Sequence, residues 1–236
     1  MTPKDAPTFS ALARQLGEAH LRLGDFPAAR QALQDSQATA PNDAERAAAL
    51  TILAELSNAS GDYAGASALL AQALPLARAS GDQTTLARAL EDWGAVHWQR
   101  GDLVEARRAL DESLALARAL GDVTQELSTL NRLGAVALAA RDLAEADRIW
   151  HQVYQRALAV GNRERAMVTL NNLASVASER KEHAIARDYF QQALTIAREI
   201  GSQRSLALYL INYARTNMEL GNLAEVRAGL REGLAL

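Results

Sequence analysis

Four histidines, two acidic pairs and three arginines are the side chains of this sequence best suited to chemistry. His20, His97, His151 and His183 are scattered along the chain. None lies four residues from another with a glutamate between, the spacing that sets two imidazoles and a general base on one helix face around zinc. His20 and His97 occupy equivalent places in a repeat, which predicts a packing role. Glu91-Asp92 and Asp111-Glu112 read as solvated charges on exposed helix faces, not as a paired general acid and base. No glycine-rich loop has the spacing to cradle a phosphate. The expectation is no catalytic residue, no metal and no cofactor: not an enzyme.

Binding has more to work with. Asn131, Asn171, Asn172 and Asn212 fall on one predicted helix face, and a carboxamide both donates and accepts, so a row of them satisfies a peptide backbone without reading its sequence. The competing reading is that these amides bond neighbouring helices or water. Arg88, Arg132 and Arg215 share that face, and a guanidinium pairs with a carboxylate through two parallel bonds. Asp92 lies beside them and is expected either to join the site or to neutralise an arginine. Trp98 falls on the same face as a candidate anchor, whereas Trp93 and Trp150 are expected in the core.

These side chains must be positioned by a regular scaffold, and the spacing of the turns identifies it. Gly24-Asp25, Gly61-Asp62, Gly101-Asp102, Arg141-Asp142, Lys181-Glu182 and Gly221-Asn222 are separated by 37 residues once and by 40 thereafter. A second series, Gly81-Asp82, Gly121-Asp122, Gly161-Asn162 and Gly201-Ser202, runs between them with the same period of 40. Each period therefore holds two helical segments. First helices carry apolar residues at i, i+3 and i+4, as in Leu130-Leu133-Gly134 and Leu170-Leu173-Ala174. Small residues recur in register at Gly17, Ala54, Gly94, Gly134, Ala174 and Ala214, and again at Ala29, Ala66, Ala106, Ala146 and Ala186. Asp102 with Glu105, Asp142 with Glu145 and Asn222 with Glu225 are spaced as capping boxes. Arg141 and Lys181 stand where glycine stands elsewhere, a cost wherever φ is positive.

The predicted fold is all-α: a right-handed α-solenoid of about six helix-turn-helix repeats, 9–41, 43–80, 82–120, 122–160, 162–200 and 202–236, after a flexible lead at 1–8. With 25 basic and 28 acidic residues there is no basic footprint for nucleic acid. The first 118 residues hold 11 basic against 15 acidic, and the rest 14 against 13. No apolar run approaches a membrane span, and the absence of cysteine fits a cytoplasmic protein held together by packing alone.

Leu16-Gly17, Gly24-Asp25, Ala29, Leu33 and Pro41 resemble one tetratricopeptide repeat, and the likeness covers about residues 9 to 236. The 40-residue period and the segment Thr169-Leu170-Asn171-Asn172-Leu173-Ala174 are similar to the longer repeats of kinesin light chains and of bacterial signalling proteins and transcription regulators. The resemblance implies a scaffold or adaptor that binds a protein or an extended peptide on its concave face. Two alternatives stand beside it. One is a ligand- or signal-peptide-sensing domain of a larger bacterial regulator. The other is a homodimer formed through Leu230, Leu234 and Leu236, which the sequence leaves without a polar cap.

Overall fold

The computed structural model describes residues 8–234. Met1–Pro7 of the expected lead and Leu236 of the expected self-association face lie outside them. Twelve helices run through the described residues in chain order. These are α1 (Phe9–Leu23), α2 (Phe26–Thr39), α3 (Asp43–Ala59), α4 (Tyr63–Ser80), α5 (Gln83–Gln99) and α6 (Leu103–Leu120), followed by α7 (Val123–Ala139), α8 (Leu143–Ala159), α9 (Arg163–Glu179), α10 (His183–Ile200), α11 (Gln203–Glu219) and α12 (Leu223–Leu234). Odd-numbered helices are the first of each pair. The all-α helical-repeat architecture is as the turn spacing dictates.

Contacts divide the chain into two compact units, 1–129 and 130–236. In the first, α1 to α6 each pack on their neighbours in the chain, and α1, α3 and α5 also pack side by side. In the second, α8 to α12 form the same succession of neighbours.

The turns work by terminal hydrogen bonding. Gly24 has φ 77° and its N–H closes α1 onto the His20 and Leu21 carbonyls, while the Asp25 side chain accepts from the Ala28 N–H that opens α2. Arg141 and Lys181 adopt the same left-handed conformation, with φ 64° and 63°. Two of the three expected capping boxes form by half. Asp102 accepts from the Glu105 N–H at 3.2 Å and Asp142 from the Glu145 N–H at 3.0 Å. The Asp102 and Asp142 N–H groups donate instead to the carbonyls of His97 and Ala137, at 2.9 Å each. Glu105 is drawn away by the Trp93 indole N–H and the Arg108 guanidinium, and Glu145 by Arg148. Strong donors nearby outbid the backbone N–H.

The small columns set how closely paired helices approach. A Cβ added to Gly17 would lie 2.5 Å from Leu33, one on Gly94 2.6 Å from Leu110, and one on Gly134 2.5 Å from the Trp150 ring. Ala146, fully buried, packs with Ala137, Trp150, Leu173 and Val176. Trp150 is core, as expected. Trp93 is half-buried: it packs against the two core clusters that contain Leu90 and Ala89, while its N–H reaches Glu105.

Candidate peptide-binding face

In residues 130–236 the first helices α7, α9 and α11 are joined by a row of amides. Asn212 Nδ2 donates to Asn171 Oδ1 at 3.1 Å, Asn171 Nδ2 to Asn172 Oδ1 at 3.4 Å, and Asn172 Nδ2 to Asn131 Oδ1 at 2.9 Å. Asn131 Oδ1 also accepts from the Trp150 indole N–H at 3.2 Å, which ties the row to the core. At the other end Arg215 donates to Asn212 Oδ1 at 3.4 Å. The four asparagines are half-buried and connect α7, α9 and α11 in a single direction of donation. The predicted residues are thus brought together, and they are bonded across neighbouring helices.

In residues 1–129 the equivalent helix positions carry charge instead of amides. Arg88 donates to Glu55 at 2.6 Å and to Glu18 at 3.3 Å. Burial pulls the Arg88 pKa down, but Glu55, with Asp92 and Glu18, more than reverses this and leaves it raised. Arg88 is therefore internally neutralised. Glu18 and Glu55 hold the repeat position that Ala95, Ala135, Ser175 and Arg215 hold elsewhere, so writing the face out in columns would have found them.

Glu91 and Asp92 correct the sequence reading. They are buried, at 5% and 7% exposure, and do not lie on an open face. Glu91 accepts from Gln125 Nε2 and from Ser128 Oγ, at 2.5 and 2.6 Å, so side chains of α7 close over it. A helix periodicity shows which residues leave the apolar stripe, but not how much of the opposite face the next helix covers. Asp111 and Glu112 do lie outward, bonded to Arg107 and Arg78. Arg132 and Trp98 are half-buried, and Arg215 is exposed beside Leu208 and Ile211.

Three of the four histidines serve the turns and the packing. His97 Nδ1 lies 3.1 Å from Asp102 and His20 Nδ1 3.5 Å from Asp25, each linking the end of a first helix to the cap of the second. His151 Nε2 meets Tyr189 Oη at 3.2 Å. Among the described residues no three of His, Asp and Glu converge as a metal site, and no helix is long and apolar enough to cross a membrane.

Comparison with known proteins fits this geometry. A family model described as tetratricopeptide repeat matches residues 85–160, 125–199 and 164–236. One described as anaphase-promoting complex subunit 5 matches residues 20–94. No curated protein matches the chain. Among solved structures, it is similar to a signal transduction ATPase with numerous domains that carries a tetratricopeptide repeat sensor, from Pyrococcus horikoshii (TM-score 0.74, 15% identity, 93% of this chain). The match spans only 37% of that ATPase. A Rap protein complexed with competence and sporulation factor gives a TM-score of 0.77 at 12% identity, covering 98% of this chain and 76% of the other. A candidate kinesin light chain of nearly identical repeats from Podosopora anserina gives 0.64 at 17% identity, covering 83% and 99%.

Proposed function

This chain belongs to the tetratricopeptide repeat family, and from that premise we propose that it is a protein-interaction adaptor that holds an extended peptide along α7, α9 and α11, by binding and not by turnover. The carrying observation is the amide row. A carboxamide has two N–H groups and two acceptor lone pairs. Asn171, Asn172 and Asn212 each give one N–H to the next amide, which leaves a second for a peptide carbonyl. Because the row is already fixed by its internal bonds and by Trp150, a peptide would meet donors that need no ordering. Exposed Leu208, Ile211 and Arg215 would add apolar and carboxylate-pairing contacts at the α11 end. The complex of the similar Rap protein with competence and sporulation factor supports this reading. Action in the cytoplasm is part of it.

The test is selection from phage-displayed random peptides, followed by titration against Asn131→Ala/Asn171→Ala/Asn212→Ala. The variant should stay helical, since the Asn131 backbone carbonyl still accepts from Trp150 at 3.2 Å. It should bind selected peptides at least about tenfold more weakly. Equal binding by the folded variant, or no enrichment on the wild type, rejects the site.

A sensor within a larger regulator is the second reading, favoured by likeness to the sensor-bearing ATPase. A selected peptide that shrinks the radius of gyration in solution scattering favours a sensor; an unchanged radius favours a static adaptor.

A further inference from the structure

We propose that copies of this chain associate head to tail, with the α12 face of one docked on the α1 face of the next. The repeat register supplies the template. Phe190 and Leu194 of α10 bury against Leu206, Tyr209 and Tyr213 of α11 in one apolar cluster. One period of 40 residues later, α10 becomes α12, and Phe190 and Leu194 become Leu230 and Leu234. Counting back 197 residues, four periods of 40 plus the one of 37, α11 becomes α1, and Leu206, Tyr209 and Tyr213 become Phe9, Leu12 and Leu16.

Both halves of the contact are therefore present, and among the described residues both are exposed. Phe9, Leu12 and Leu16 are 64%, 50% and 54% exposed, and Leu230 and Leu234 are 51% and 89% exposed. The three α1 residues line a groove of about 430 Å³ whose floor is Ala28 and Ala32 of α2. Large apolar side chains clustered this way mark an interaction surface.

Charge agrees with the register. Arg187 and Gln191 of α10 line one cleft with the turn Gly221–Glu225. Their equivalents on α12 are Arg227 and Arg231, both exposed, and the equivalent turn before α2 holds Asp25, also exposed. Docking in the α10–α11 register carries two guanidinium groups to that carboxylate. The two faces differ, so the contact is heterologous and grows with concentration instead of closing at a dimer.

The test is light scattering and sedimentation of the wild type, of Leu12→Glu/Leu16→Glu and of Leu230→Glu/Leu234→Glu, up to about 1 mM. Circular dichroism of each variant shows that it remains folded. The wild type should rise in mass beyond a dimer, and each variant alone should stay monomeric, with association weakened about 100-fold or more by the buried charges. A mixture of the two variants retains one intact α12 face and one intact α1 face, so it should form a heterodimer and nothing larger. A wild type that stays monomeric overturns the proposal. So does a dimer that survives Leu12→Glu/Leu16→Glu but not Leu230→Glu/Leu234→Glu, which would pair two α12 faces.

Discussion

Single atoms decide several positions in this protein. A methyl group at Gly134 would stand 2.5 Å from a tryptophan ring whose N–H is held by both the carbonyl and the side chain of Asn131. Gly134→Ala should therefore cost about 1–3 kcal/mol in denaturant unfolding. Gly17→Ala would meet Cγ of the fully buried Leu33 at the same 2.5 Å, with the Ala29 carbonyl 3.3 Å away, and should cost a similar amount. A gain in stability for either variant would contradict this close approach. Lys181 sits at φ 63°, where a side chain crowds its own backbone. Lys181→Gly should raise stability by about 0.5–1 kcal/mol, lifting the thermal midpoint by about 1–3 °C. Glu105 is held at a pKa of about 2, chiefly by hydrogen bonds from Arg108, opposed by burial and helped by the Trp93 indole. A carboxyl depressed on folding contributes stability that is complete above its unfolded pKa and is lost as pH falls toward the folded one. Wild-type stability should thus fall more steeply than that of Glu105→Gln between about pH 4.5 and pH 2. Parallel curves would mean that this carboxylate has no special partner in the folded protein.

At the scale of the helix, small residues matter because they fix the distance at which everything else packs. Ala146 is fully buried in the contact of α8 with α7 and α9. Ala146→Phe should overpack it by about 1–3 kcal/mol, and an unchanged thermal midpoint would contradict the packing. The helices and their turns were legible because glycine before an acidic or amide residue marks the end of one helix and the cap of the next, whatever the tertiary context. The capping boxes were only half legible. Glu105 and Glu145 have the right spacing, but an arginine three residues along the same helix takes each carboxylate, and for Glu105 the indole N–H of Trp93 on α5 does so too.

At the scale of the whole chain, contacts within each unit run mostly between helices that follow one another, so a local injury should stay local. Hydrogen exchange of Gly134→Ala should quicken in α8 to α10 and remain unchanged in α2 to α4. A uniform change throughout would instead show one global cooperative transition. By itself the sequence determined the repeat, its period, its family and which residues leave each apolar stripe, because periodicity and turn chemistry are local. Only the tertiary structure decided what the opposite face is made of. It buried Asp92, closed α7 side chains over Glu91, neutralised Arg88 with glutamates 33 and 70 residues away, and joined four asparagines into one row. Those outcomes depend on how far each helix covers its neighbour, a distance set by packing across repeats that no single stretch of sequence records.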